Sequence, residues 1–91
     1  MSLTELLIQA IELQNQGQVQ DAAALFNEVL AVDPANGPAL YSLTVIALQS
    51  GDGPLALALA SRGVRDNPQY APLHYVHGAV LQGLERRDEA L

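Results

Sequence analysis

Apolar residues recur along this chain at spacings of three and four, which is the period of an amphipathic helix. Leu6, Ala10 and Leu13 open the pattern, and comparable stretches follow. Short segments rich in Gly, Pro, Asn and Asp separate the stretches. Gly closes helix C-termini, and Pro neither continues a helix nor favours helical dihedrals in the residue before it. The pattern therefore predicts an all-α chain of short helices.

Capping residues and turn-forming residues set the expected bounds of the helices. Ser2 and Glu5 have the spacing of a capping box, which satisfies free amides at a helix start. Gly17 and Gly51 are placed to close the first and third helices in the left-handed conformation. The predicted helices cover about residues 3–16, 19–32, 38–50, 52–66 and 72–84, and a sixth begins at about Asp88.

The chain also carries an internal period of 34 residues. The residues that repeat include turn formers, small packing residues, leucines and tyrosines. The matching sets include Gly17 and Gly51; Ala22, Ala56 and Ala90; Pro34 and Pro68; and Tyr41 and Tyr75. Because self-similarity at this period is typical of helical repeat proteins, each unit is interpreted as one helix–turn–helix hairpin.

The unit resembles the tetratricopeptide repeat (TPR), whose pattern is Trp-x2-Leu-Gly-x2-Tyr, then Ala-x3-Phe, then Pro. The positions that carry the resemblance are Leu6, Gln9, Ala10, Leu13, Ala22, Phe26 and Pro34; Leu40, Leu43, Thr44, Ala47, Ala56, Ala60 and Pro68; and His74, His77, Gly78, Leu81 and Ala90. The resemblance implies antiparallel hairpins stacked as a short right-handed α-solenoid. Its units would be repeat 1 at about 3–36, repeat 2 at about 37–70 and an incomplete repeat 3 at about 71–91. The chain departs from the pattern at Gln9, at Ala60 and at Glu85, which replaces the turn glycine.

Composition narrows the function classes. The 91 residues carry a formal net charge of −6 and no lysine, which disfavours nucleic acid and anionic membrane surfaces as partners. Cysteine is absent, so disulfides and thiolate catalysis are excluded, and a cytoplasmic location is the default expectation. No catalytic triad, phosphate loop or dinucleotide fingerprint is present, and no cofactor or metal is expected. His74 and His77 have metal-ligand spacing but lie at pattern positions that predict burial between helices.

A second apolar stripe runs along the first helix of each hairpin, beside the one that begins with Leu6, Ala10 and Leu13. By resemblance, first helices line the concave face of a TPR array, so this stripe is the candidate protein-binding surface. Its members are Leu7, Ile11, Tyr41, Val45, Leu48, Tyr75 and Ala79. The alternative is that these residues only fill space between adjacent first helices.

The chemistry of this stripe selects among the partners that the resemblance implies. Many TPR domains clamp an acidic peptide tail with Lys, Arg and Asn on this wall, and no basic residue stands there in this chain. The asparagine ladder of long TPR arrays is not matched either, because Ile8, Ser42 and Val76 occupy those places. The expected ligand is an extended or helical peptide with apolar anchors.

The last residues are expected to be the first turn of a sixth helix, which indicates a fragment of a longer protein. The face of helix five would then be bare, and an exposed apolar face favours association. The residues expected to mediate self-association, as a homodimer or end-to-end stack, are Gly78, Val80, Leu81 and Leu84.

Two roles remain open from the sequence. The first is a protein–protein interaction module, a TPR adaptor that binds a peptide or helix through its concave face. The alternative is a non-binding architectural or oligomerisation module attached to a catalytic domain, such as a glycosyltransferase or methyltransferase, missing from this chain. A stand-alone enzyme is not expected.

Overall fold

The computed structural model describes the backbone of residues 1–90 and the side chains of residues 1–85. Within these limits the chain forms five α-helices. They are α1 (Leu3–Asn15), α2 (Val19–Val32), α3 (Gly37–Gln49), α4 (Gly53–Asp66) and α5 (Ala71–Ala90). The bounds of α1 to α4 lie within one residue of those predicted from the sequence, and the all-α fold class is confirmed.

Side chains just before three helices cap their free amides. The Ser2 hydroxyl accepts a hydrogen bond from the Glu5 backbone amide at 3.2 Å, and Asn36 accepts one from the Ala39 amide at 2.9 Å. Asp52 accepts from the Leu55 amide at 3.2 Å. Because the first amides of a helix have no partner within it, these contacts fix where α1, α3 and α4 begin.

The turns inside the two hairpins share one backbone geometry. Gly17 and Gly51 have φ of 82° and 78°, the left-handed region that glycine adopts without steric cost. The residue after each glycine donates its amide back five positions, from Gln18 to Leu13 and from Asp52 to Ala47, both at 2.9 Å. These are Schellman motifs, and the predicted role of both glycines is confirmed.

The hairpins stack side by side into an elongated solenoid of 46 × 28 × 18 Å. α1 packs against α2 and α3 against α4, while α2 packs on α3 and α4 on α5. The first helices of the second and third units, α3 and α5, also touch. Each unit therefore covers part of the apolar surface of the next, as expected for a repeat protein.

The first part of the core lies between α1, α2 and α3. Phe26 is its largest fully buried side chain, and Leu6 and Ala10 are buried beside it. Further buried members are Ala22, Val29, Ala39, Leu43 and Ile46. The positions that match the repeat pattern in α1 and α2 therefore face each other across the first hairpin.

The second part of the core is built partly by α5. Ala60 stands where the first unit has Phe26, and it clusters with Ala47, Ala56 and Val80. Leu40, Leu73 and Val76 form a neighbouring cluster between α3 and α5. The small side chains of α4 thus leave room that residues of the third unit fill.

The expectation that Val80 belongs to a bare face of helix five was wrong. Val80 is only 1% exposed and packs on Ala47, Ala56 and Ala60. The physical reason is helical phase, because Val80 follows Val76 by four residues and both point toward α3 and α4.

The expectation of a sixth helix starting near Asp88 was also wrong for the described backbone. α5 continues without a break to Ala90, well past the predicted end at residue 84. Glu85 occupies the place of Gly17 and Gly51, and a residue with a Cβ does not readily adopt the positive φ that ended α1 and α3. Leu91 lies outside the described residues.

The junction between the second hairpin and the first is held by polar contacts that no sequence pattern indicated. Asn67 donates its side-chain amide to the carbonyl of Ala35 at 2.8 Å, and Arg62 donates to the carbonyl of Pro34 at 2.6 Å. Both contacts clamp the α2–α3 loop onto the C-terminal half of α4.

We predict that Gly63→Ala destabilises the protein although alanine favours helices. A Cβ at Gly63 would lie 2.6 and 2.9 Å from the Cδ atoms of Leu73, which is fully buried and has little room to move. Overpacking of this kind outweighs the gain in helix propensity, giving a net loss of about 1 kcal/mol in the free energy of unfolding.

Gly83→Ala is the matched control, because a Cβ there meets nothing within 4 Å. It should stabilise the chain by about 0.5 kcal/mol. Urea denaturation followed by circular dichroism measures both. Equal stabilisation by the two substitutions would contradict the tight contact between α4 and α5.

Candidate protein-interaction surface on the first helices

The second apolar stripe lies on one side of α1, α3 and α5 and reaches solvent along its length. None of its seven members is buried: Leu7, Tyr41 and Val45 are half-buried, and Ile11, Leu48, Tyr75 and Ala79 are exposed. We call these seven residues the first-helix stripe. α3 and α5 touch, so the stripe residues of these two helices lie on neighbouring helices of the solenoid.

The two tyrosines of the first-helix stripe have different environments. Tyr75 is 79% exposed, the most exposed large apolar side chain in the described part of the chain. Tyr41 is half-buried and packs, with Val45, against the cluster of Leu40, Leu73 and Val76. Tyr41 is therefore partly a core residue, whereas packing does not account for Tyr75.

Leu48 extends the first-helix stripe toward a small cavity at the end of α3. This cavity has a volume of about 120 Å³. Its lining is apolar and small, formed by Leu48, Gly51, Gly53, Val80, Gly83 and Leu84. It is large enough for one short side chain of a ligand, not for a small-molecule cofactor, since ligand pockets are typically several hundred Å³.

The first-helix stripe contains no ionisable group apart from the phenols of its tyrosines. The polar residues at matching spacing on α1 and α5 are Gln14 and Gln82, which are neutral. A wall of this kind has no fixed charge with which to bind a phosphate or a carboxylate. Its contacts with a ligand would be apolar, with hydrogen bonds at the margins.

Comparison with known proteins decides the family. The model of the tetratricopeptide repeat matches residues 13–80, which is three-quarters of the chain. The chain belongs to the tetratricopeptide repeat family. The match runs from the end of α1 into α5 and so includes both complete hairpin turns. The comparison with curated proteins found no match, and neither did the comparison with solved structures.

Membership in the TPR family establishes a coarse description of this domain. TPR domains are generally protein–protein interaction modules and are typically non-catalytic. Among the described helices, none combines the length and the apolar character needed to cross a membrane.

The two histidines of the third TPR unit are not buried as predicted. His74 is exposed, and its Nε2 lies 2.6 Å from the carbonyl oxygen of Pro68. His77 is half-buried, with Nε2 at 3.4 Å from the Ser61 hydroxyl. Their equivalents in the second unit, Leu40 and Leu43, are buried. No helix of the described chain covers His74 on α5, whereas α4 covers part of His77.

The residues expected to mediate self-association divide between two faces of α5. Gly78 and Leu81 are exposed on one face, with Leu81 43% exposed. Leu84 is half-buried against the cluster that contains Val80. Self-association through this helix stays a prediction of the sequence.

A groove that no sequence pattern indicated lies on the opposite side of the solenoid, between α2 and α4. Its volume is about 400 Å³, and its floor is formed by Leu43, Ile46 and Ala47 of α3. One sequence feature could have indicated this groove. The residues of α2 that line it, Gln20, Ala23 and Asn27, are small or polar and recur at helical spacing.

We predict that Tyr41→Ala lowers the free energy of unfolding more than Tyr75→Ala does, because only Tyr41 packs against the core. Tyr41→Ala removes a ring that packs on the α3–α5 cluster and should lower the free energy of unfolding by about 1 to 2 kcal/mol. Tyr75→Ala removes a side chain that is mostly in water and should change it by no more than about 0.5 kcal/mol.

Chemical denaturation of the two variants beside the native chain tests this difference. A loss for Tyr75→Ala as large as that for Tyr41→Ala would mean that Tyr75 is packed in solution, and it would remove the first-helix stripe as a free surface.

Proposed function

We propose that this TPR domain is an adaptor that binds a peptide or helix of a partner protein through the first-helix stripe. The observation that carries the proposal is the exposure of Tyr75, at 79%, within an apolar stripe that crosses neighbouring helices. Large contiguous apolar patches are rare on protein surfaces, and those that occur often mark interaction sites.

The side chains of the stripe suit the energetics of protein recognition. Tyr75 offers a large apolar area and a hydroxyl at a low cost in conformational entropy, and tyrosine is enriched among residues that dominate binding energy. Ile11, 43% exposed on α1, would supply a second apolar contact at the other end of the stripe. Burial of such side chains by a partner is the main source of affinity that this surface offers.

The absence of charge on the stripe defines the kind of ligand proposed. An acidic tail would find no cation to pair with, whereas an amphipathic helix or extended segment with apolar anchors would bury its own apolar side chains against Tyr41, Val45 and Tyr75. No catalytic role is proposed for this domain, and its cytoplasmic location stays a prediction of the sequence.

The alternative role is architectural, in which the domain only positions or oligomerises an attached domain. In that case α5 would carry the assembly contacts and the first-helix stripe would bind nothing. The two roles therefore assign function to different faces of the same helix, and substitutions on each face distinguish them.

Affinity capture with matched variants tests the proposal. The native domain, Tyr75→Ala, Tyr75→Phe and Leu81→Ala are immobilised, and lysate of the source cells is passed over each. We expect a protein that the native domain, Tyr75→Phe and Leu81→Ala all retain and that Tyr75→Ala loses, because only that variant removes the ring from the stripe.

Identical retention by the native domain and Tyr75→Ala would contradict the adaptor proposal. Loss of a retained protein only in Leu81→Ala would instead favour the architectural role, since Leu81 lies on α5 outside the first-helix stripe.

A further inference from the structure

Asn36 differs from the other asparagines of the chain in the residue that follows it. Glycine follows Asn36, whereas Gln, Glu and Pro follow Asn15, Asn27 and Asn67. A backbone nitrogen attacks the preceding asparagine side chain most readily when it belongs to glycine, which has no Cβ to hinder the approach. A proline nitrogen carries no hydrogen to lose, and the helical backbone at Asn15 and Asn27 keeps the reacting atoms apart. Asn36 is therefore the asparagine whose side chain the sequence makes most reactive.

The reaction open to Asn36 is loss of its side-chain amide. The Gly37 nitrogen loses its proton and bonds to Cγ of Asn36, and the bond from Cγ to Nδ2 breaks and releases ammonia. Water then opens the five-membered imide at one of its two carbonyls. Breaking the bond between Cγ and the nitrogen leaves aspartate, whereas breaking the original peptide bond leaves isoaspartate, in which the main chain runs through Cβ. Water is the only other reactant.

The folded chain holds the two reacting atoms apart. Ring closure needs the Gly37 nitrogen and Cγ of Asn36 on the same side of the bond from Cα to the backbone carbonyl carbon. Asn36 has φ −61° and ψ 112°, which turns this nitrogen away from the side chain. The side chain is also fixed, because Oδ1 accepts from the Ala39 amide at 2.9 Å and Nδ2 donates to Asp33 at 3.2 Å. Reaction therefore requires the α2–α3 loop to leave this conformation.

The second hairpin holds the α2–α3 loop in its closed conformation. Arg62 donates to the carbonyl of Pro34 at 2.6 Å, and Asn67 donates to the carbonyl of Ala35 at 2.8 Å. Gly37, which follows the loop, is buried. Local opening of the loop decides how often the imide geometry is reached, and each of the two hydrogen bonds shifts the equilibrium toward the closed form.

We propose that Asn36 is a covalent modification site, converted to aspartate and isoaspartate through an imide with Gly37 at a rate that the contacts of Arg62 and Asn67 with the α2–α3 loop control. Loop motions are much faster than imide formation, so the rate follows the fraction of molecules whose loop is open. This site lies at the junction of the hairpins and does not depend on the function proposed for the first-helix stripe.

The aspartate product keeps the cap of α3 but changes its charge. The new carboxylate still accepts from the Ala39 amide, and a negative charge is favourable at a helix N-terminus. It no longer donates to Asp33, whose carboxylate lies at hydrogen-bond distance from the atom replaced. Two negative charges then face each other, and their repulsion favours opening of the loop.

The isoaspartate product removes the cap altogether. Its main chain runs through Cβ and Cγ, so the carbonyl that accepts from the Ala39 amide becomes part of the backbone. The carbonyl that accepts from the Leu40 amide at 3.0 Å becomes a free carboxylate. The added backbone atom also displaces Gly37, where a Cβ would already lie 3.1 Å from the ring of Tyr70. Conversion therefore weakens the joint between the two hairpins.

Matched variants of the intact chain test the proposal. The native chain, Arg62→Ala, Arg65→Ala and Val80→Ala are incubated at neutral pH, and peptide mapping by mass spectrometry follows the replacement of the Asn36 amide by an acid. Arg65→Ala removes the same charge from α4, but Arg65 contacts Asp66 and not the loop. Val80→Ala leaves a cavity in the cluster near the other end of α3 and lowers the stability of the whole chain.

We expect Arg62→Ala to convert Asn36 about threefold to tenfold faster than the native chain does, since one hydrogen bond shifts a local equilibrium by about this factor. Arg65→Ala and Val80→Ala should convert at close to the native rate. The native chain denatured in urea should convert faster than any folded variant, because nothing then holds the loop closed. Aspartate and isoaspartate peptides, separated by chromatography, should both be present.

The proposal is overturned if Asn36 stays an amide in folded Arg62→Ala while the denatured chain converts. Equal acceleration by Arg62→Ala and Arg65→Ala would contradict control by the loop contact. Acceleration by Val80→Ala at least as large as that by Arg62→Ala would mean that the reaction passes through unfolding of the whole chain. Aspartate without isoaspartate would mean direct hydrolysis by water and not an imide with Gly37.

Discussion

The structure depends on one constraint: the apolar face of each hairpin's first helix must be covered by a helix that can approach it closely. Ala22 and Ala56 make this approach possible in the two complete hairpins, and both are fully buried. Gly63 extends the principle to the junction between units, where Leu73 of α5 fills the space that a Cβ would take. The order of the helices, the shape of the solenoid and the surfaces left for binding all follow from where this cover is present.

The sequence was most informative where structure is determined locally. The left-handed turns at Gly17 and Gly51 and the cap at Ser2 depend on the residue itself and its near neighbours, so the bounds of α1 to α4 could be predicted closely. The continuation of α5 past Glu85 could not, because the period of 34 residues predicted a turn there. Glu85 stands where the earlier units have glycine, and the helix continues through it.

The candidate surfaces were predicted in outline and not in detail. Helical spacing placed Leu7, Ile11, Tyr41 and Tyr75 on one stripe, and the structure leaves Ile11 and Tyr75 exposed and Leu7 and Tyr41 half-buried. Spacing alone could not separate Tyr41 from Tyr75, because the difference comes from packing between α3 and α5, which repeat symmetry treats as equal. The contacts of Arg62 and Asn67 with the α2–α3 loop were missed for the same reason, since they join residues about 30 positions apart whose proximity follows only from how the hairpins stack.

The proposed function depends on a solenoid whose interior is sealed while the first-helix stripe remains in water. Paramagnetic relaxation by an inert soluble agent, measured on the methyl groups of the chain by NMR, tests this arrangement most directly. The account predicts strong broadening for Ile11 and little for Leu40 and Val80, which are nearly fully buried. Protection of Ile11 equal to that of Leu40 would contradict it, because the stripe proposed to bind a partner would already be covered.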